Sequence, residues 1–216
     1  MEKQVYVWDK FIRLFHWLLL ILFCTSYLTG EEEHWLHPYS GYGIFTLVCL
    51  RIVWGITGSR YARFTDFVRS PKVVISYLKS IFSGSPKRYL GHNPAGGIMI
   101  VMLLASLLLT TLSGMKLYAI EEGKGPFAYI TQMEAKTSIP AVAYDDSHHN
   151  EHDEISEHHQ EHEEESEEEE FWEEVHEAAV NFMLLLIVLH VLGVFVASRQ
   201  HGEKLIKSMF TGYKKV

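Results

Sequence analysis

Apolar residues dominate four stretches of the chain, and more polar segments separate them. These stretches cover residues 11–30, 38–57, 95–115 and 176–197. Each is close to the roughly 20 residues that a helix needs to cross the hydrocarbon core of a bilayer. Backbone polar groups inside a bilayer must be satisfied within the chain, so each stretch is predicted to be a helix. The pattern therefore predicts an all-α integral membrane protein, a bundle of four transmembrane helices in one domain over 1–216.

Two shorter segments have the pattern of amphipathic helices. They are PKVVISYLKSIFSG, residues 71–84, and EKLIKSMFTGYK, residues 203–214. In both, apolar residues recur at helical spacing and lysines lie between them. Such helices commonly lie in the plane of the membrane interface, so we expect both segments along the inner membrane surface.

The segment 145–170 breaks the apolar pattern. It contains fourteen acidic residues, six histidines and no Lys or Arg, and without it the net charge of −8 would become +6. Ile155 is its one apolar residue, so we expect this segment to be a disordered loop. Three roles remain open: a solvated tether, a docking surface for a basic redox partner, or loose binding of zinc, nickel or copper. The candidate metal ligands are His148, His149, His152, His158, His159 and His162.

Positive charges indicate the orientation of the chain in the membrane. Lys and Arg concentrate near the N-terminus, in residues 58–93 and near the C-terminus. The segment after the first span has neither residue, and the long segment after the third span has three lysines. Because loops rich in Lys and Arg stay in the cytoplasm, both termini are predicted to be cytoplasmic and the acidic loop to be outside.

Two histidines lie on the fourth apolar stretch, and their spacing matches the helical repeat. His176 and His190 are fourteen residues apart. At about 100° per residue this is close to four whole turns, so both side chains share one helix face. At about 1.5 Å per residue they lie roughly 21 Å apart along the axis. One histidine is therefore predicted near each membrane surface.

Histidines on two other stretches fall at the same two depths. His16 lies level with His190, and His37 lies level with His176. Imidazoles that face each other from separate helices suit six-coordinate haem iron, which needs one axial ligand on each face. The depths therefore predict two bis-histidine haems that carry electrons across the bilayer. The alternatives are interhelical hydrogen bonds, or a zinc or copper site, which would ordinarily need three or four ligands at one depth.

Two arginines are candidates for binding the propionates of the inner haem. Arg51 lies on the same face of the second helix as its histidine, towards the inner side, and a buried arginine needs an anion. Arg13 lies about one turn before His16 and is suited to a second propionate. Small residues at Gly41 and Gly193 would let a ring approach the backbone.

A fifth histidine, His92, begins the third stretch and has no histidine partner at its depth. One role is purely structural, at the start of a helix beside Asn93 and Pro94. The other is a contact to a quinone or to a haem propionate. The sequence leaves both roles open.

Four segments of the chain resemble the bacterial cytochrome b561 family. They are WDKFIRLFHW, HPYSGYGIFTLVCLRIVWGITGSRYARF, GHNPAGG and HVLGVFVASRQHGEKLIKSMFTGYK, in the order of the family. The resemblance covers nearly the whole chain except 120–172. It is nearest to the b-type cytochrome subunit of nickel–iron hydrogenases and its stand-alone relatives. It implies a multi-pass protein of the bacterial inner membrane with two b haems, whose ligands are His16, His37, His176 and His190.

The resemblance also implies the partners. They are quinone as substrate, membrane lipid, and an outer-face redox protein, which is either a hydrogenase-like dehydrogenase or a cytochrome c. We expect no nucleic-acid partner and no catalytic nucleophile in the chain.

Two other functions remain as alternatives. A superoxide:quinone oxidoreductase is the first, although an acidic outer loop would repel the superoxide anion. A metal-binding or anchoring membrane protein that uses residues 145–170 is the second.

Overall fold

The chain is described by a computed structural model. The described residues are 4–30, 35–84, 87–131, 133 and 151–215, with the backbone alone for 151–166 and 215. The chain divides into two units. The first comprises residues 1–108 and 181–216, and the second comprises residues 109–180. All packing reported below lies within one of these units.

Helices account for most of the described residues. They are α1 (Lys10–Leu28), α2 (Leu36–Thr57), α3 (Phe64–Phe67), α4 (Pro71–Phe82), α5 (Pro94–Glu122), α6 (Glu151–His201) and α7 (Leu205–Thr211). A 3-10 turn covers Arg60–Ala62, and two short strands are β1 (Gln4–Tyr6) and β2 (Tyr213–Lys215).

The four predicted spans are confirmed as helices that are long and apolar enough to cross a membrane. They are α1, α2, α5 and the part of α6 from Glu167 to His201. In α1, Ile12 is buried while Leu14, Leu18, Leu20 and Ile21 are exposed, as expected for a helix with one side towards lipid. The predicted fold class, an all-α membrane protein with four candidate spans, is therefore correct. The two amphipathic segments also form helices, α4 and α7.

All four spanning helices contribute to an apolar core of the first unit, with Phe15 and Leu19 of α1 packed against its buried residues. Ile44 and Val48 of α2 pack with Leu104 of α5 and Met183 of α6. Val48 and Met183 are almost completely buried. This contact packs α2 against the C-terminal half of α6, the half that carries His190.

Asp9 joins the start of α1 to the end of α2. Its side chain caps α1 by accepting from the Ile12 amide at 2.9 Å, and it accepts from Trp54 Nε1 at 3.1 Å and from the Ser59 hydroxyl. Burial alone would raise the pKa of Asp9, but these hydrogen bonds outweigh it and hold the pKa below its ordinary value of 3.8. The carboxylate form therefore stabilises the junction.

The strands β1 and β2 pair with each other in antiparallel orientation, a feature that the sequence pattern does not predict. Beside them, the amides of Val7 and Trp8 donate to the carbonyl of Gly212 at 2.9 and 3.1 Å. Gly212 has a φ of +86°, and a side chain there would meet the Trp8 carbonyl. Glycine is therefore required at this position. Strands of three residues are too short to show the alternation that indicates a strand.

Helix α6 begins at Glu151, well before the predicted span. Residues 151–170 are therefore helical rather than a disordered loop, and 145–150 lie outside the described residues. Glutamate has a high helix propensity, and a helix that extends an existing span avoids the cost of nucleation. Lys116 Nζ of α5 also lies 3.0 Å from Glu168 Oε1 and holds this part of α6.

Replacing Asp9 with alanine is expected to lower the free energy of unfolding by about 2 kcal/mol, because α1 loses its cap and two further hydrogen bonds are lost. Because the folded-state pKa is lowered, the parent's advantage is complete above pH 3.8 and disappears as the pH falls through the folded pKa. Unfolding of the detergent-solubilised protein at several pH values measures both effects. Asp66→Ala is the control, since this carboxylate has a long, 3.9 Å contact with exposed Arg60. Equal losses for the two variants would contradict the assigned role of Asp9.

Candidate functional site

His16 of α1 and His190 of α6 come together in the first unit. Their side chains are both half-buried, and their rings are close enough for a charge on one to affect the other. His16 Nδ1 is buried and has no hydrogen-bond partner among the described residues. The depth argument thus selected two histidines of the same unit that lie within electrostatic range of each other. Their role as ligands stays a prediction.

His92 is also in the first unit, within electrostatic range of His190. Its ring packs against Trp8 at a centroid distance of 4.5 Å and against Phe67 at 4.8 Å. Burial, together with the nearby positive charges of Arg51 and Lys214, lowers the pKa of His92 to about 3. The imidazole is therefore neutral near pH 7.

The structure supports a helix-capping function for the neighbour of His92. Asn93 Oδ1 accepts from the Gly96 amide at 2.7 Å, which satisfies a backbone donor in the first turn of α5. His92 itself makes no such contact: its Nδ1 is buried without a partner among the described residues. The capping role thus belongs to Asn93, and the His92 nitrogen is left for another contact.

Both candidate arginines have buried donor atoms without a protein partner. Arg51 is 3% exposed and donates from Nη2 to the Ala62 carbonyl at 3.2 Å, while its guanidinium lies over the Phe64 ring. Its Nη1 has no partner among the described residues. Arg13 donates from Nη1 to the Phe210 carbonyl, and its buried Nε has none. Unsatisfied buried donors are costly, so an anion at either position would be stabilising.

His37 is oriented by the end of α1. Its Nδ1 lies 2.9 Å from the Ser26 carbonyl oxygen. A carbonyl oxygen can only accept, so Nδ1 carries the proton and the lone pair is on Nε2. This is the tautomer of a metal-binding histidine whose other nitrogen is held by a backbone carbonyl.

His176, in the second unit, is oriented by α5 in the same way. Its Nδ1 lies 3.1 Å from Ser113 Oγ, and that hydroxyl donates to the Thr110 carbonyl at 3.0 Å. Because the hydroxyl proton is used there, Nδ1 of His176 must be the donor, which leaves the lone pair on Nε2. A β-carbon at Gly114 would lie 2.8 Å from the ring, so glycine permits this close approach.

His37 and His176 belong to different units, and their predicted pairing stays a prediction. At the two glycines proposed for ring approach, Gly41 and Gly193, an added β-carbon would meet no protein atom within 4 Å. Packing of the chain itself therefore does not require glycine at either position. Taken with the unsatisfied arginine donors, the residues present fit a planar anionic group near His16 and His190.

The sequence pattern contained no signal for the residues that orient His37 and His176. Serine at Ser26 and Ser113 is unremarkable in an apolar span, and their partners become evident only when the helices are packed. The candidate metal ligands of the acidic segment are not described at the side-chain level. Among the described residues, no group of three or more His, Cys, Asp or Glu side chains is placed to hold a metal ion.

Comparisons with known proteins agree with the resemblance in the sequence. Residues 7–212 match the family described as prokaryotic cytochrome b561. The chain is 25% identical over 156 residues to the "Probable Ni/Fe-hydrogenase B-type cytochrome subunit" of Rhizobium leguminosarum bv. viciae, which covers 59% of the chain and 65% of that protein. Proteins of the same name from Azotobacter chroococcum mcd 1 and Azotobacter vinelandii are 25% identical over 157 residues. The chain thus spans about 65% of the length of these relatives. No solved structure matches.

Replacing Ser113 with alanine is expected to lower the free energy of unfolding by about 1 kcal/mol, because the His176 Nδ1 proton loses its acceptor. Ser106→Ala on the same helix is the matched control. Ser106 is also buried, but its hydroxyl has no partner among the described residues, so its loss costs little. Thermal unfolding in detergent compares the two. A Ser106 variant that is destabilised as much as the Ser113 variant would contradict the assigned hydrogen bond.

Proposed function

Because the chain belongs to the prokaryotic cytochrome b561 family, we propose that it is a dihaem cytochrome b of the bacterial inner membrane. It transfers electrons between a redox partner at the outer face and the quinone pool. Four helices that are apolar enough to cross a bilayer support the membrane location. The similar proteins are named as hydrogenase cytochrome subunits, which favours a hydrogenase-like dehydrogenase as the partner over a cytochrome c.

The observation that carries this proposal is the approach of His16 and His190 within one unit. They come from two helices, α1 and α6, so their nitrogens can bind opposite faces of one planar group. When bound, haem b would supply reversible one-electron exchange at an iron with no open coordination position. His16 Nδ1 has no protein partner, so the ring is not committed to a competing hydrogen bond among the described residues.

In the predicted outer pair, His37 and His176, a neighbouring residue would hold each imidazole in the orientation for binding iron. The Ser26 carbonyl fixes the His37 ring, and the Ser113 hydroxyl fixes the His176 ring. In both cases the proton is on Nδ1 and Nε2 is the ligand atom. Such hydrogen bonds orient the ring and increase its basicity, so they strengthen ligation and stabilise oxidised iron.

Arg51 and Arg13 would bind the propionates of the inner haem. Each guanidinium has a buried N–H group without a protein acceptor, and each is fixed by a backbone carbonyl through another N–H group. A carboxylate is the acceptor that guanidinium prefers. The arginines would therefore fix the group in the site, and their charge would favour the reduced state.

His92 is suited to quinone chemistry beside this site. Its imidazole is neutral near pH 7 because of burial and the charges of Arg51 and Lys214. A neutral imidazole donates or accepts a hydrogen bond, and either contact would orient a quinone carbonyl or hydroxyl. Its position next to His190 would place the quinone at the inner end of the electron path.

Alanine variants of the four histidines test the proposal through the haem content of the purified protein. The parent is expected to contain two b haems per chain in a pyridine haemochrome assay. His16→Ala and His190→Ala are each expected to lose the inner haem, and His37→Ala and His176→Ala the outer one. His201 is the last residue of α6 and belongs to neither pair, so the His201→Ala variant should retain both haems. No haem in the parent, or haem content that the four changes leave unaltered, would overturn the proposal.

Replacing Arg51 with glutamine is expected to lower the midpoint potential of the inner haem by about 40 mV, the equivalent of about 1 kcal/mol for one electron, because a buried positive charge is removed. Redox titration followed by optical spectroscopy measures this potential. Arg69→Gln, an exposed arginine with the same charge change, is the control. Equal shifts in the two variants would rule out a contact between Arg51 and the haem.

A further inference from the structure

An open groove of about 520 Å³ lies between the end of α6 and α7. It is in the first unit, and its lining does not include the histidines described above. Its lining residues are Ser198, Glu203, Lys204, Leu205, Ile206, Lys207 and Phe210.

The groove is bordered by the outward face of α7. Ile206 and Phe210, four residues apart and thus on one helix face, are 66% and 60% exposed. The opposite face is held by the protein, since Ser208 is buried and accepts from Trp8 Nε1, and Met209 packs in a small apolar cluster. The helix therefore presents an apolar surface that the described residues do not cover.

The charge of the groove is positive. Glu203 is the carboxylate among its lining residues, and both of its oxygens are used: Oε1 by Arg88 Nε and Oε2 by Lys214 Nζ, each at 2.8 Å. Burial would raise the pKa of Glu203, but these two partners outweigh it and lower the pKa. Lys204 and Lys207 are exposed and have no ion-pair partner among the described residues, so they determine the charge that a ligand would meet.

A membrane-spanning α6 would place the groove near the level of the lipid headgroups. Helix α6 is apolar enough to cross the membrane and ends at His201, and α7 begins four residues later. Three intervening residues span at most about 10 Å, so the start of α7 stays close to the end of the span. An apolar helix face with lysines beside it, at this depth, is typical of a surface that binds anionic lipid.

We propose that this groove binds an anionic phospholipid of the inner leaflet. Lys204 and Lys207 bind its phosphate and headgroup, and an acyl chain lies along Ile206 and Phe210. Phe210 also stacks on Trp17 of α1 at a ring distance of 4.4 Å, so the lipid stabilises the contact between α7 and the helix that carries His16. The inference does not depend on haem or quinone.

The test is the thermal unfolding midpoint of the full-length protein in a non-ionic detergent, titrated with phosphatidylglycerol or with phosphatidylcholine of the same acyl chains. Phosphatidylglycerol is expected to raise the midpoint of the parent more than phosphatidylcholine does, because it binds the folded state. In Lys204→Gln/Lys207→Gln the half-maximal phosphatidylglycerol concentration should rise at least about tenfold. Lys10→Gln/Lys72→Gln, which removes two exposed lysines outside the groove, should respond as the parent does. All four lysines are exposed, so we expect these substitutions to leave folding intact.

Three outcomes would overturn the inference. Equal stabilisation of the parent by the two lipids would exclude recognition of the headgroup charge. An equally weakened response in the two double variants would assign the effect to diffuse surface charge. A midpoint raised as much by soluble glycerol 1-phosphate as by the lipid would indicate a free-anion site. Haem content, measured on the same samples, separates this test from that of the electron-transfer proposal.

Discussion

Polar groups inside a bilayer must find partners within the protein, and this constraint accounts for the arrangement of the site. The backbone meets it by forming helices. The side chains meet it pair by pair: His37 with a carbonyl of α1, His176 with a serine of α5, and Arg51 with the carbonyl of Ala62. Among the described residues, the buried side-chain atoms without a hydrogen-bond partner include those of His16, His92, Arg13 and Arg51, and these four residues belong to the first unit. Buried nitrogen atoms without a hydrogen-bond partner are expected where a protein binds a non-protein group.

The surroundings of His16 and His92 depend on contacts that lie outside the spans. Asp9 fixes α1 to α2, and Trp8 packs on His92 while donating to Ser208 of α7. Phe210 then stacks on Trp17, next to His16. The interfacial segments therefore position the ends of the spanning helices, where apolar packing alone leaves rotation and tilt poorly defined. Lipid at the surface of α7 would act on the same set of contacts.

Much of the fold was predictable because the chain repeats simple physical signals. Apolar length identified the four spans, and helical spacing identified α4 and α7. Depth alone selected His16 and His190, which belong to the same unit and lie within electrostatic range of each other. The orienting residues were not predictable, since Ser26 and Ser113 differ from other serines only in what packs against them. Helix 151–170 was missed because composition was judged in isolation, whereas the adjoining span supplies the helix nucleus. The pairing of β1 with β2 was missed because it joins residues at opposite ends of the sequence.

That pairing has a consequence for the order of synthesis. Residues 4–6 leave the ribosome first, and residues 213–215 follow after roughly 200 more residues, a delay of about 10 to 40 seconds at ordinary translation rates. During this time β1 has no partner strand, and Trp8 lacks two of its hydrogen-bond partners, Ser208 and the Gly212 carbonyl. The four spans can enter the bilayer while the inner site is still open on this side. A group that binds there can therefore be inserted before β2 is synthesised and pairs with β1, after which this side of the site is closed.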